Sequence, residues 1–463
     1  MLDVRTVIRR NSMRDRILKL SAVTLLLLGL PGIAAGQQGS DDAFTMALTG
    51  DSIITRKLSV YTESEFVSMI ELIRECDVAF TNLEMLFHDY EPYPMHASGG
   101  TWMRADPEMA EELAWAGFDM VSMANNHTGD YGVLGMQLTM RYAEEAGLVY
   151  AGVGMSLPEA REAKFLETAG GRVALVSVAS TFTDHSVAGR TRGDMPPRPG
   201  LSPLRYSSTR VVLPEHMEKL REALREIGQR VPDSGDRLSV FGTRLVAGEE
   251  PGSFTEPNQQ DVEEIAAVVS SASRLADYTI VAFHSHEGGR GRNTPPDFLI
   301  AFAHAMVDAG ADVLVGHGPH VLKGIELYMG KPIFYSLGDF MFQNETLLRL
   351  PSENYERYQL GQDAHVADFN ARRYNNDRSG FPANRQIWES VIAVPAWREG
   401  QLVELKLYPV TLGFGEPSQV RGRPLLAGGE LGRKIIGDLI QYSEPFGTEI
   451  ELVNGIGIVR VRR

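Results

Sequence analysis

The stretch AGADVLVGHGPHVLKGIELYMGKPIFYSLGDF, residues 309–340, decides how this chain is read. Residues 312–317 form a short apolar run ending in a histidine, and residues 332–340 form a second apolar run. Between them, Gly316-His317-Gly318-Pro319-His320 sets two imidazoles three residues apart at a strand end. Gly and Pro there fix the backbone rather than fill a core, and neutral imidazole is a common metal ligand.

Working outward, the same arrangement recurs. FTMALT (44–49) predicts a strand ending at Gly50-Asp51, and DVAFTNLE (77–84) one ending at Glu84. FDMVSMA (118–124) runs into Asn126-His127, and TIVAFHS (279–285) carries His284 at its end. Helical patterns lie between these strands. Thr62 with Glu65 reads as a capping box for a helix to about residue 75. Asp106-Pro107 opens a helix that Gly117 closes, and residues 135–146, 214–227 and 261–276 carry further helices. Alternating strands and helices predict an α/β fold with a mostly parallel sheet.

In an open α/β sheet, ligands bind outside the carboxyl ends of the strands. Asp51, Glu84, Asn126, His127, His284 and His317 are therefore expected to reach one crevice, with His320 beside them. Strand alternation sends His284 and His286 to the same face, one as a ligand and the other as its neighbour. Mixed nitrogen and oxygen donors suit Zn, Mn or Fe, with two ions for so many ligands. Calcium or magnesium would use oxygen nearly alone. Each element by itself also reads as a turn or a cap. Their coincidence at successive strand ends carries the argument.

Composition bounds the rest. The 463 residues carry a net charge of -15, and residues 1–36 hold six basic against two acidic side chains, which leaves the remainder at -19. So acidic a chain repels nucleic acid and anionic lipid. An anionic substrate would need local cations to reverse the field. Cys76 is the single cysteine, which excludes an intrachain disulfide and a cysteine-zinc cluster.

Six basic residues between Arg5 and Lys19 precede the apolar run 20–30, broken by Pro31-Gly32 and followed by Ala34-Ala35-Gly36. That is a signal-peptide pattern with cleavage after Gly36, an uncleaved membrane anchor being the alternative. The main domain is read as residues 43–342, with a loop or lid insertion near 181–256. Residues 343–390 read as an irregular insertion, and 391–463 as strands and a helix completing the same domain.

LTGDSIITR (48–56), FTNLE (80–84), ANNHTGDYG (124–132), HSHEGG (284–289) and the 309–340 block resemble, in order, the motif set of the CapA family, known for poly-γ-glutamate capsule synthesis. The resemblance implies a calcineurin-like metallophosphatase fold, a four-layer sandwich of two mixed sheets flanked by helices, with loop insertions. It implies metal binding by Asp51, Glu84 (bridging), Asn126, His127, His284, His317 and His320. Asn126 would ligate metal or hydrogen-bond substrate, and His127 would either protonate a leaving group or act as a ligand. Arg56 would bind an anion in the site.

Two departures add candidates. His284-Ser285-His286-Glu287 stands where the family has His-Trp-Gly-x-Glu, which offers His286, and Gly338-Asp339-Phe340 replaces Gly-Asn-Phe, which offers Asp339. The expected role is that of an exported periplasmic or envelope protein working with membrane-bound synthesis partners on an anionic polymer. Metal-dependent hydrolysis at a phosphoryl or acyl centre is the enzymatic reading. The alternatives are a phosphoesterase for an unrelated ester and a non-catalytic scaffold for polymer export.

Overall fold

The computed structural model describes residues 43–461, so the signal-peptide reading of residues 1–36 lies outside the described residues. Two mixed sheets organise the chain. In the first, Phe44–Ile53 is flanked in parallel by Val78–Leu83 and Asp339–Phe342, and antiparallel by Glu389–Arg398. Met120–Ser122 and Val149–Ala151 extend the parallel side, and Gln401–Thr411 with the Ile456–Val459 and Ile450–Val453 hairpin extends the other. The second sheet runs Ile325–Tyr328, Lys331–Phe334, Val313–His317, Tyr278–His284, Gly171–Ala179, Lys164–Thr168. Its four central strands are parallel and both edges are closed by antiparallel hairpins. The fold is α/β with mixed sheets rather than one mostly parallel sheet.

Strand alternation assigns side chains to separate cores. Phe44, Met46 and Leu48 pack with Phe80, Leu175, Ile280 and Val315, which joins the facing sides of the two sheets. Ala47 and Ala79 turn the other way, towards Phe66, Met69 and Ile73 of the helix Ser64–Arg74 and Leu113 of Met109–Ala116. On the second sheet, Val176, Val281, Phe283 and Leu314 pack under Gln259–Ala272 and Asp297–Asp308 through Ile265, Val269, Phe298 and Phe302. Each such buried side chain contributes roughly 1.5–3 kcal/mol. A one-residue slip would exchange the two faces of a strand, so register is tightly set.

Local expectations are corrected in two places. Thr62 and Glu65 form no capping box: the helix begins at Ser64 without a side-chain cap, and the Thr62 amide donates to the Glu63 carboxylate instead. The apolar run 332–340 is not one strand. Lys331–Phe334 belongs to the second sheet, Gly338 turns the chain at φ +73°, and Asp339–Phe342 enters the first sheet. Apolar character suits either sheet, so composition alone does not reveal the crossing.

Within 181–256, a four-stranded sheet of Tyr206–Val212, Arg237–Val240, Thr243–Ala247 and Gly252–Pro257 packs with the helix Pro214–Glu226 around Met217, Leu224, Leu238 and Leu245. Residues 343–390 carry the helices Ser352–Arg357 and Val366–Arg373. The segment is tied down where buried Arg421 pairs with Glu345 and Asp377. Among the described residues no helix is long and apolar enough to cross a membrane.

Candidate metal centre

The site forms where the strand ends of the two sheets meet. Asp51 lies inside its strand rather than after it, because the strand continues to Ile53 past register shifts on either side of Asp51. Its neighbour across the parallel pair is Asp339. Glu84 follows Val78–Leu83 directly, while His284 and His317 are the last residues of adjacent strands and are paired in register.

Asp51 is held from two sides. Its Oδ1 accepts from Asn82 Nδ2 at 2.7 Å and lies 3.6 Å from His284 Nδ1, and its Oδ2 accepts from the Gly318 amide at 2.9 Å. His284 Nε2 is 3.1 Å from His286 Nε2 and 3.8 Å from Glu84 Oε1. His320 Nδ1 is 2.8 Å from Asp339 Oδ1 and 3.9 Å from Asp51 Oδ2. His320 adopts φ +55°, a left-handed conformation that non-glycine residues rarely take and that concentrates at functional sites. His127 Nε2 sits 3.7 Å from Glu84 Oε1, and its Nδ1 is anchored 2.7 Å from Asp130 Oδ2.

Two groups of ligand atoms lie within 4.8 Å of one another: Asp51, Glu84, His320 and Asp339, and Glu84, His286 and His320. Glu84 and His320 are common to both. His317 stands apart from them, its Nε2 3.2 Å from the Thr49 carbonyl oxygen and its ring against Phe80.

These buried acidic and histidine groups are arranged to bind a metal, and their unsatisfied atoms fit one. Both Glu84 oxygens, Asp339 Oδ2, Asn126 Oδ1, His317 Nδ1 and Asn82 Oδ1 are buried without a hydrogen-bond partner. Each such group costs about 1–3 kcal/mol, more when charged, and so many together call for a common partner.

The electrostatics agree. Burial, then the charges of Asp51, Asp339 and Asp130, push Glu84 well above the usual carboxylate range. Burial raises Asp339 to about 7 in spite of His320. Burial lowers His317 to about 4 and also holds His284 and His286 low. Burial would raise Asp51 as well, but the close approach of His284 and the charges of His284, His317 and His320 hold it low. Burial likewise opposes the His320 imidazolium, yet Asp339 keeps it above its ordinary value. A divalent cation would favour ionised carboxylates and neutral imidazoles together.

A cavity of about 380 Å³ opens over these groups, lined by Asn126, His127, His286 and His320, with Arg292 and Arg373 as its cations. The chain matches the bacterial capsule synthesis protein PGA_cap family over residues 45–344.

It belongs to that family.

The uncharacterized protein y4sH of Sinorhizobium fredii is 38% identical over 434 residues, covering 91% of this chain and 94% of its own. The PGA biosynthesis protein CapA of Bacillus subtilis is 28% identical over 309 residues, 65% of this chain and 64% of its own. The capsule biosynthesis protein CapA of Bacillus anthracis is 26% identical over 317 residues, 67% of this chain and 62% of its own. The PGA_cap match contains every candidate ligand from Asp51 to Asp339, whereas the helices that carry Arg357 and Arg373 lie beyond it.

Arg56 is placed differently from expectation. Its guanidinium donates to the Gln419 and Arg421 carbonyls and does not line the cavity, so it braces a C-terminal loop. Two further residues shape the site without being among the expected ligands: Asn82, which bridges Asp51 to His284, and Asp130, which orients His127. Both signals were present: Asn82 stands two residues before Glu84, on the same strand face, and Asp130 is three residues after His127.

Proposed function

We propose that this PGA_cap protein takes part in the synthesis, assembly or processing of an anionic cell-envelope polymer of the poly-γ-glutamate kind, by metal-dependent hydrolysis. One observation carries the reading: Glu84 is fully buried, with both oxygens unpartnered, between Asp51 and Asp339 of the first sheet and His286 and His320, which follow strands of the second. Two sheets stacked with helices outside them support the calcineurin-like metallophosphatase four-layer sandwich. The names of the two CapA relatives, given for PGA and capsule biosynthesis, support the polymer context. The basic-then-apolar residues of 1–36 support export to the periplasm or envelope, beside membrane-bound synthesis partners.

Asp51, Glu84, Asp339, His284, His286, His317 and His320 would hold two ions of the Mn, Fe or Zn class, with Asn126 offering Oδ1. Such cations lower the pKa of water and neutralise charge developing on a phosphoryl or acyl oxygen. The chain's own residues do the rest. Asn126 Nδ2 donates to the Gly99 carbonyl, which fixes its Oδ1 as an acceptor. Asp130 fixes the His127 ring so that Nε2 faces the reacting region and delivers a proton to the leaving group. Arg292, at the cavity rim, offsets substrate charge.

Elemental analysis of the purified protein, with turnover of bis-p-nitrophenyl phosphate and γ-linked glutamyl oligomers, tests this. Bound transition metal with turnover of either class supports hydrolysis. Metal without turnover of either class supports the scaffold reading, and a chain that binds no metal overturns hydrolysis.

A further inference from the structure

A second cavity, of about 470 Å³, adjoins the first between the 96–102 loop and the helices Ser352–Arg357 and Val366–Arg373. The two share Gly99, Gly100, Thr101 and Arg373 as lining. The dividing loop is fastened to the metal centre itself. The Gly99 carbonyl accepts from Asn126 Nδ2 and the Gly99 amide donates to Asp130 Oδ1. A β-carbon on Gly99 would lie 2.5 Å from the Asn126 carbonyl oxygen, so the loop approaches as closely as backbone allows.

Arg373 reaches this boundary from the far side. It donates to Thr101 Oγ1, and its guanidinium carbon lies 5.1 Å from the Tyr374 ring centre and 5.7 Å from those of Phe369 and Phe381. Arg357 lines the same second cavity. Neither guanidinium meets a carboxylate among the described residues, whereas buried Arg104, Arg161 and Arg421 are all ion-paired. Glu353 is the acidic residue of the lining, and it already accepts from Ser352 Oγ. In a chain of net charge -15, the lining sets two guanidinium groups that make no ion pair against one carboxylate, Glu353, beside aromatic walls, a local excess of positive charge suited to an anion. The planar fork of arginine matches carboxylate and phosphate.

We propose that Arg357 and Arg373 form a second anion subsite, so that the substrate is extended and carries at least two acidic groups, one at the metal centre and one here. The proposal rests on the metal-centre reading above and deepens it. Both residues lie beyond the PGA_cap match, so this subsite is a selectivity element supplied by the segment after residue 344.

Equilibrium binding to the metal-loaded full chain tests it. Two ligand series are compared at constant ionic strength: γ-linked glutamate monomer, dimer and tetramer, and inorganic phosphate with linear phosphate oligomers. Acidic groups far enough apart on one ligand make the second contact intramolecular, so the parent should bind the tetramer at least about tenfold tighter than glutamate itself or inorganic phosphate, which are too short to span both sites. Arg373→Ala and Arg357→Ala should each pull that ratio towards one, with Arg373→Lys between. Arg357 is exposed, so its substitution is readable even where Arg373→Ala fails to fold. The series with the larger ratio identifies the acidic group.

Elemental analysis of the same samples separates the two claims. A chain without metal overturns the metal-centre reading. A metal-loaded chain that shows no length dependence, or keeps it in both alanine variants, overturns the subsite alone.

Discussion

Gly50 and Gly338 approach so closely that a β-carbon on Gly50 would lie 2.0 Å from the Gly338 carbonyl oxygen. The Asp51 amide donates to that same oxygen at 3.0 Å, and Asp51 pairs in register with Asp339. Two carboxylates from sequence positions nearly three hundred residues apart are thereby set side by side. Gly50→Ala must push these strands apart. The expected loss is about 1–3 kcal/mol of stability, as for overpacked cores, together with reduced metal content. Thermal unfolding and elemental analysis read both, and a variant matching the parent in each would refute the constraint.

Glu84→Gln keeps the shape and removes the charge that a cation needs. Metal affinity should fall by at least about 10–100-fold, the range seen even for groups behind the ligands. The metal-free variant should be no less stable than the metal-free parent, because a carboxyl opposed by burial and by Asp51 has gone. Unfolding curves with and without chelator check this: the chelator-dependent shift should disappear.

Asp339 gives a pH signature in metal-free protein. Burial lifts its carboxyl from 3.8 to about 7, so the folded state keeps the proton longer than the unfolded chain. Its contribution is fully present below about pH 3.8 and is lost as pH rises through about 7. The stability of the parent relative to Asp339→Asn should therefore decline across that window, by at most about 1.4 kcal/mol per pH unit. A difference that stays flat with pH would contradict the buried carboxyl.

His127→Asn separates the proton-donor role from that of a metal ligand. As a proton donor aligned by Asp130, its loss should lower kcat by about 10²–10⁴-fold while metal content is retained. Loss of metal instead would assign it as a ligand. Single-turnover rates and elemental analysis on one preparation distinguish these outcomes.

Arg56→Ala tests the corrected placement. Removing the donor from the Gln419 and Arg421 carbonyls should cost about 1–3 kcal/mol. KM for an anionic substrate and metal content should not change. A raised KM with unchanged stability would restore the anion-binding role.

What the sequence determined by itself was which side chains are candidates to bind a metal and where they stand along the chain. Histidines and carboxylates at the ends of apolar runs are local facts, since alternation and strand length are short-range. The ligand types, the α/β class and the family resemblance were therefore legible in residues 44–340. Tertiary structure decided which of these groups meet and what surrounds them. The run 332–340 reads as one strand because burial favours the same residues in either sheet. Only the turn at Gly338 and the close approach of Gly50 carry Asp339 across to Asp51. Arg56 and Arg373 are both arginines in polar surroundings. One is spent on backbone carbonyls and the other faces a cavity, because loops distant in sequence reach them first. Contacts of that range depend on how whole layers pack, and no local pattern encodes them.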